Sequence, residues 1–235
     1  MRLDKYLCDT TSYSRSEIRE IIKKGRVTVN GTTVKAPDLK INEAADLVNL
    51  DGKGITYERF VYFMLNKPAD VVSATKDNFD TTVLDLFKDE NTEGLFTVGR
   101  LDKDTTGLLI VTNDGELSHR LTSSKYHVYK NYIVTLCKPI DDDSLERLRE
   151  GVELDDGMTL PAMVTRIDEA KISLKIREGR FHQVKRMMIA VGNEVLSLHR
   201  AQFGSLNLDD KLKPGEYRRL TEDEVNALQS DVNAI

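Results

Sequence analysis

The chain has 235 residues, of which 40% are hydrophobic and 31% charged, and its formal net charge is −5. This composition is typical of a soluble globular protein with one large domain or two modest ones, and a net negative charge argues against coating nucleic acid by bulk charge. No apolar run approaches the ~20 residues that span a bilayer. The start, MRLDKYLCDT, lacks the apolar core of a secretory signal.

Cysteine usage and motif content narrow the function classes further. The two cysteines, Cys8 and Cys137, are far apart and form no metal-binding or redox motif. The sequence also contains no P-loop, dinucleotide fingerprint or cluster of metal-ligand residues. We therefore expect a cytoplasmic protein in a reducing compartment, with no disulfide, no metal and no cofactor.

The basic residues are concentrated in two regions of an otherwise acidic chain. Residues 12–40 carry seven lysines and arginines against three carboxylates, and residues 175–200 carry six against two. Acidic residues crowd 141–156 instead. Two basic patches on an acidic body suit a protein that places an anionic polymer in one orientation.

The first fifty residues show two helical patterns followed by a hairpin pattern. Ser14 and Glu17 have the spacing of a capping box for the second helix, which Gly25 can end. The run RVTVNGTTV alternates around Asn-Gly, which predicts a two-residue hairpin turn. Along the second helix, basic residues recur every three or four positions, and we name this set the N-terminal basic face: Arg15, Arg19, Lys23 and Arg26. A solvated helix face is the alternative.

Residues 48–58, with two glycines and little periodicity, predict a linker, which we place at 51–59. The next segment, Tyr57–Leu65, alternates as a strand does. It ends at Asn66-Lys67-Pro68, because proline cannot donate a hydrogen bond to a sheet. Lys67 could border a functional site or be a plain loop lysine.

Residues 99–115, GRLDKDTTGLLIVTNDG, are the most informative stretch. The apolar run 108–111 between glycine turns predicts a strand that is buried on both faces. Asp102 lies just ahead of this rigid element, where a carboxylate partly screened from water could act as a nucleophile or a base. The alternative is an aspartate that hydrogen-bonds the backbone of its own turn.

The same stretch partly matches a calcium-binding loop. Asp102, Asp104, Thr106 and Gly107 fit positions one, three, five and six of an EF-hand. The twelfth position would be Asn113, where a bidentate glutamate is required, and a strand pattern replaces the second half of the loop. We therefore reject a calcium site.

The rest of the chain alternates helical and strand patterns. Glu116–Leu121 predicts a short helix capped by Asp114, residues 129–136 a strand containing Tyr132, and residues 141–150 a helix with an acidic start. Tyr132 could equally be a core residue of its strand. Thr221–Leu228 predicts a final capped helix.

Residues 172–188, ISLKIREGRFHQVKRMM, predict a strand, a turn at Gly179 and a helix that begins near His182. Backbone amides at such a corner attract anions. Basic residues flank Gln183 there, namely Arg180, His182, Lys185 and Arg186. This cluster could form a site that binds RNA, or it could be a basic patch on the surface with no such role.

The pattern GRLDxxTxGLLxxTNDG resembles the catalytic signature of the RNA pseudouridine synthases, in the branch that modifies ribosomal RNA with a short N-terminal RNA-binding domain. EGRFHQVKRM resembles the third motif of that family, and the N-terminal hairpin with its basic helix resembles the S4 RNA-binding domain. The resemblance implies that Asp102 is the nucleophile or base, that Lys185 pairs with it, and that Tyr132 stacks on the uracil. It further implies that Arg100 helps to hold the flipped nucleotide. The expected RNA contacts are Lys67, Arg180, His182, Gln183, Arg186 and the N-terminal basic face.

The resemblance also implies the architecture. We expect an α+β protein, with a small S4-like α/β module at 1–50 and a pseudouridine synthase domain at 60–235, built on a mostly antiparallel mixed sheet with flanking helices. MLNKP, SHR and PGEYRRLTEDE are most similar to the members that form the pseudouridine called 516 in 16S rRNA. Members that act on 23S rRNA share most of these sequence motifs. The alternative from another class is a non-catalytic RNA-binding protein of ribosome assembly. We expect a monomer with ribosomal RNA as its partner and no membrane association.

Overall fold

The computed structural model describes residues 1–233, which form two compact units. The smaller unit comprises Met1–Phe60 together with Phe87–Gly94, and the larger comprises Val61–Leu86 together with the chain from Leu95 onward. The chain therefore leaves the larger unit after Leu86 and returns at Leu95. Nothing in the sequence pattern had indicated this excursion.

The smaller unit packs two helices and a four-stranded antiparallel sheet of order β2-β1-β3-β4 around one apolar cluster. Its elements are α1 (Leu3–Thr10), α2 (Arg15–Lys23), β1 (Val27–Val29), β2 (Thr32–Val34), β3 (Val48–Leu50) and β4 (Lys53–Ile55).

Local sequence signals set the ends of these elements, as predicted. The Ser14 side chain accepts from the Glu17 amide while the Glu17 carboxylate accepts from the Ser14 amide, so the capping box is complete. Gly25 follows α2 with a φ of +73°. Asn30 and Gly31, with φ of +50° and +79°, close the β1–β2 hairpin in the left-handed conformation that such a turn requires.

The stretch expected to be a linker contains ordered structure. β4 pairs antiparallel with β3 and completes the sheet of the smaller unit. Tyr57, expected to start a strand, instead stacks on Tyr6, with ring centroids 5.3 Å apart. The apolar alternation at Tyr57–Leu65 was therefore misleading at its beginning, because part of it serves the core of the smaller unit. The strand itself begins at Tyr62.

The larger unit follows the predicted α+β class. Its elements are β5 (Tyr62–Lys67), β6 (Phe96–Thr97), β7 (Thr106–Thr112), α3 (Gly115–Thr122), β8 (Lys130–Leu136), α4 (Asp142–Glu150), β9 (Glu153–Leu154), β10 (Gly157–Met158), β11 (Met163–Asp168), β12 (Lys171–Ile176), α5 (Gln183–Ala190), β13 (Val195–Phe203), β14 (Leu206–Asn207), β15 (Tyr217–Arg219) and α6 (Glu222–Asp231). Short 3-10 turns occupy Val83–Leu86 and Ser124–Tyr126.

Nine of these strands form one sheet with the main order β11-β12-β8-β13-β7-β5-β15; β14 pairs with β13 and β6 with β7. Every pairing is antiparallel except that of β7 with β13, which is parallel. One apolar cluster includes residues of β8, β12, β13, α4 and α5, and another includes residues of β5, β7, α3 and α6. The predicted strand at 108–111 is the buried middle of β7, each of its side chains being at most 1% exposed.

Candidate active site

One pocket of the larger unit collects most of the residues that the sequence singled out. It lies where the loop before β7 faces β8, the start of α5 and β13. The residues that line it are Arg100, Leu101, Asp102, Thr105, Tyr132, Ile176, Gly179, Arg180, His182, Gln183, Val184, Lys185 and Leu198. Asp102, Tyr132 and Lys185, separated by up to 83 positions in the chain, are thus brought together as predicted. We name residues 100–105 the aspartate loop.

A buried lysine binds the backbone of the aspartate loop. The Lys67 ammonium, at the end of β5, donates to the backbone carbonyls of Pro68 at 2.9 Å, Lys103 at 3.1 Å and Thr105 at 2.8 Å. Its side chain is fully buried, and this burial lowers the pKa of Lys67 to about 8. The prediction that Lys67 contacts RNA is therefore wrong, because its ammonium is buried and bound by the protein's own backbone. Its contacts are those of a residue that positions the loop.

A buried serine fixes the same loop at its other end. The Ser73 hydroxyl donates to the Leu101 carbonyl at 2.8 Å and accepts from the Leu101 amide at 3.0 Å. Ser73 and Leu101 are both buried. The residue directly before Asp102 is thus held by its backbone on both sides.

The aspartate loop continues into β7, whose second residue is Gly107. Any other residue at this position would push the neighbouring backbone away. Gly107 has a φ of +102°, and a Cβ built there would lie 2.4 Å from the Arg200 carbonyl oxygen and 2.8 Å from the Arg200 nitrogen. This close approach is the parallel pairing of β7 with β13, in which Gly107 faces Arg200. It brings β13 against the strand that follows Asp102.

The Asp102 carboxylate faces the pocket and takes no part in holding its own turn. The turn is closed by the Thr105 amide, which donates to the backbone carbonyl of Asp102 at 3.1 Å. Within residues 1–233, no backbone amide donates to the carboxylate. Its two oxygens instead lie 3.5 Å from His182 Nε2 and 3.5 Å from Lys185 Nζ. The side chain is 31% exposed, so it is largely screened from water and still accessible.

Lys185 is shared between two aspartates, which the sequence did not predict. Its ammonium lies 2.7 Å and 2.8 Å from the two oxygens of Asp104, closer than the 3.5 Å to Asp102. The hydrogen bond from Lys185 lowers the pKa of Asp104. The signal for this second partner was present in the spacing Asp-Lys-Asp, although we weighed Asp104 only as a calcium ligand.

The turn before α5 is fixed by its own side chains. His182 is the N-cap of α5 in the left-handed conformation, with a φ of +48°. The Gln183 amide group donates to Glu178 Oε2 at 3.0 Å, and its oxygen accepts from the Arg180 backbone amide at 3.0 Å. Gln183 is 4% exposed. Gln183 thus supports the turn and also lines the pocket, and its contact with RNA stays a prediction.

The predicted RNA-binding arginines of this corner are already paired with acidic groups. Arg180 donates to Glu178 and to two backbone carbonyls, and Arg186 pairs with Asp156, which also lies 3.4 Å from Arg180. Their contact with RNA stays a prediction. To bind a phosphate, each arginine would have to give up some of these hydrogen bonds within the protein.

The remaining predicted residues lie at two places. Arg100 is exposed at the pocket, and Tyr132 lines it from β8 while its ring packs against the apolar cluster of α4 and α5. Both interpretations of Tyr132, as site residue and as core residue, thus describe part of its environment. The N-terminal basic face is exposed in all its members, and three of them pair with carboxylates: Arg19 with Asp4, Lys23 with Glu20 and Arg26 with Asp51.

Two general properties of the described chain bear on its class. Residues 1–233 contain no group of three His, Cys, Asp or Glu side chains that could hold a metal ion. None of their helices is both long enough and apolar enough to cross a membrane.

Comparison with known proteins identifies the class that this fold and pocket define. The sequence model of the family described as RNA pseudouridylate synthase matches residues 61–190, and that of the S4 domain matches residues 1–47. The chain belongs to the RNA pseudouridylate synthase family and is an RNA pseudouridine synthase with an N-terminal S4 domain. The resemblance in the central motif, the third motif and the N-terminal hairpin is thereby confirmed.

Individual relatives match over nearly the whole chain. The Ribosomal small subunit pseudouridine synthase A of Vibrio cholerae serotype O1 is 44% identical over 97% of this chain and 99% of its own. The protein of the same name from Escherichia coli (strain K12) is 43% identical over 96% of this chain and 98% of its own. A crystal structure of a pseudouridylate synthase superimposes with a TM-score of 0.70 and 39% identity, covering 97% of this chain and 99% of that one.

Proposed function

We propose that the enzyme converts uridine 516 of 16S rRNA into pseudouridine in the cytoplasm, and that Asp102 carries the reaction. The choice of RNA is supported by relatives at 43–44% identity whose names assign them to the small ribosomal subunit. The motifs MLNKP and PGEYRRLTEDE, which lie outside the aspartate signature, support it as well.

The observation that carries the role of Asp102 is the orientation of its carboxylate. A turn-stabilising aspartate accepts hydrogen bonds from the backbone of its own turn. Here the Asp102–Thr105 turn is closed by main-chain atoms alone, and the carboxylate faces the pocket. His182 and Lys185, each 3.5 Å away, provide cationic or proton-donating groups on one side of it. A partly screened carboxylate that faces a pocket and does not hold its own turn is what a nucleophile or a general base requires.

The reaction exchanges one bond to the ribose for another. The bond from uracil N1 to ribose C1′ breaks, the base turns, and a bond forms from C5 to the same C1′, while the proton leaves C5 and N1 gains one. Asp102 would either attack C1′ or remove a ribose proton to begin the cleavage. Lys185 would keep a positive charge 3.5 Å from the carboxylate and attract it electrostatically.

The pocket can accept the uracil only after the nucleotide leaves its stack, because a base inside a helix is out of reach. Tyr132 would then stack on the uracil from the β8 side, and Arg100, exposed at the pocket, would hold the flipped nucleotide. The S4 unit would hold structured RNA through the N-terminal basic face. Since several of these cations are paired within the protein, phosphate would compete with Asp4, Glu20 and Asp51 for them.

The test is chemical mapping of pseudouridine on 16S and 23S rRNA from cells that lack the protein. We expect position 516 to lose its pseudouridine, wild-type protein to restore it, and Asp102→Asn to leave it unmodified while binding RNA normally. Asp143→Asn, the same change at an exposed position of α4, is the matched control and should restore modification.

Three results would contradict the proposal. Loss of a 23S pseudouridine with position 516 intact would assign the enzyme to the large subunit. An unchanged pattern on both RNAs would remove ribosomal RNA as its substrate. Restoration of pseudouridine by pure Asp102→Asn protein would show that Asp102 only holds its turn.

A further inference from the structure

Phe181 is an exposed aromatic residue beside the pocket to which the reaction gives no role. It lies between Arg180 and His182, which both line the pocket, yet its side chain is 76% exposed. The ring stacks on the imidazole of His182, with centroids 3.8 Å apart and planes inclined by 18°. That imidazole is the one whose Nε2 lies 3.5 Å from Asp102.

The backbone that presents this ring is fixed at several points. Arg186 Nη1 donates to the Phe181 carbonyl at 3.1 Å. On the preceding residue, the Arg180 amide donates to the Gln183 side chain and the Arg180 carbonyl accepts from the Gln183 amide at 3.2 Å. A ring held in this way loses little conformational freedom when a ligand covers it, so more of the contact energy is available for binding.

The shape of the exposed surface favours one kind of ligand. One face of the Phe181 ring rests on His182, which leaves the opposite flat face open to solvent. Unpaired nucleobases stack on such faces in single-stranded RNA complexes. The ring is not among the pocket-lining residues, so a base stacked on it lies outside the cavity that receives the uracil.

We propose that Phe181 is the stacking surface for a nucleobase adjacent to the target uridine, in an array of base, Phe181 ring and His182 imidazole. Flipping the uridine unstacks its neighbour, and this surface restores a stacking partner to that neighbour while the uridine is in the pocket. The inference rests on the proposed function for the choice of RNA. It adds a contact outside the reacting nucleotide.

The experiment measures binding of a 16S rRNA fragment that spans the target, with 2-aminopurine at one flanking position at a time. Stacking on Phe181 should quench this probe at one of the two flanks. Phe181→Ala should abolish that quenching and weaken binding by roughly tenfold or more, the usual effect of removing one base-stacking aromatic. Phe181→Tyr should bind like wild type, whereas Phe181→Leu, which is apolar but lacks a ring, should resemble Ala. Ile189→Ala, which removes a 63% exposed side chain from α5, the helix that follows Phe181, is the matched control and should bind normally.

An abasic nucleotide at the quenched position completes a double-mutant cycle. It should weaken binding to wild type by about the same factor as Phe181→Ala does, and it should weaken binding to Phe181→Ala no further. Equal weakening of both proteins would place the base elsewhere and overturn the inference. Unchanged affinity of Phe181→Ala with a slower single-turnover rate at saturating protein would also overturn it, because Phe181 would then act only by orienting His182.

Release of tritium from 5-tritiated uridine by wild-type protein separates this inference from the proposed function. If the 16S fragment is not modified and a 23S fragment is, the proposed target is wrong, and the same variants and abasic cycle decide the stacking on the 23S RNA. If wild type modifies neither RNA, both proposals are overturned. If it modifies the 16S fragment and Phe181→Ala binds that fragment normally, only the stacking surface is overturned.

Discussion

Lys67→Met tests whether the ammonium beneath the aspartate loop holds that loop in place. The substitution keeps a long flexible chain in a fully buried site and removes the donor to three backbone carbonyls. Two of those carbonyls, of Lys103 and Thr105, belong to the loop that carries Asp102. Loss of the ammonium should therefore affect both stability and the position of the Asp102 carboxylate.

The two energetic consequences have opposite signs. Leaving a buried polar group without its partner costs about 1–3 kcal/mol. The Lys103 carbonyl still accepts from the Asp70 amide at 2.9 Å, so the carbonyls of Pro68 and Thr105 together cost roughly 2–6 kcal/mol. Removing the charge recovers the cost of burying it. The lowering of the Lys67 pKa from 10.5 to about 8 corresponds to about 3 kcal/mol at neutral pH. We expect a net destabilisation of about 1 kcal/mol.

The pH dependence provides a separate signature. The folded protein releases the Lys67 proton near pH 8 and the unfolded chain near 10.5, so the unfolded state binds more protons between these values. The free energy of unfolding of the wild type should therefore rise with pH across this window relative to Lys67→Met. This gain is complete above pH 10.5 and is lost as the pH falls through 8. Urea unfolding at several pH values measures it, and a constant difference between the two proteins would refute the account.

The activity measurement is a single-turnover assay on rRNA at saturating enzyme. Small misplacements of a catalytic group can cost ~100-fold in rate, and we expect Lys67→Met to be slowed by about 10- to 100-fold. Lys103→Met is the control within the same loop, because its ammonium pairs with Asp80 at the surface. That exposed pair should contribute at most about 1 kcal/mol. Wild-type turnover by folded Lys67→Met would show that the buried contacts do not position Asp102.

Three further predictions concern the loop, the pocket and the N-terminal unit. Gly107→Ala should lower the thermal unfolding midpoint strongly, because the added Cβ would meet the Arg200 backbone. Gly192 also has a positive φ but has nothing within 4 Å of an added Cβ, so the control Gly192→Ala should cost only about 1–2 kcal/mol. Lys185→Met should lose about 100-fold in single-turnover rate, since Asp102 loses a neighbouring cation, and a rate near wild type would contradict the pairing. Charge reversal within the N-terminal basic face should weaken RNA binding and flatten its dependence on salt while leaving chemistry on bound RNA nearly unchanged; an equal fall in rate and affinity would contradict this. The positions to reverse are Arg15, Arg19 and Lys23.

Local patterns were sufficient to predict most elements of the fold. The capping box at Ser14, the cap of the final helix at Thr221, the N-cap at Asp114 and the Asn30-Gly31 turn are each made by residues close together in sequence, and each is present. The central strand was recognisable because four consecutive apolar residues between glycine turns are typical of a buried strand. The assembly of Asp102, Tyr132 and Lys185 in one pocket was predictable only through the family resemblance, since no local pattern relates these positions.

What the sequence did not reveal depends on contacts between distant segments. Lys67 is chemically suited to bind RNA, and only the fold shows that three carbonyls occupy its ammonium. The support that Gln183 gives to its turn was hidden for the same reason, because only the fold shows that Glu178 and the Arg180 backbone bind its amide group. Phe87–Gly94 belongs to the smaller unit, and no periodic pattern in the sequence of this segment indicates it. Burial of polar side chains is thus where prediction from sequence was weakest.

The parallel pairing of β7 with β13 also has a consequence for synthesis of the protein. Gly107 and Arg200 face each other across 92 intervening positions, so the strand that follows Asp102 lacks one neighbour until residues near 200 are made. Pairings of this sequence separation form slowly, because a long loop must close before they form. A nascent or truncated chain ending before β13 would contain Asp102, Lys67 and the whole S4 domain, yet would lack the β13 side of the pocket around Asp102. Such fragments should bind RNA without modifying it.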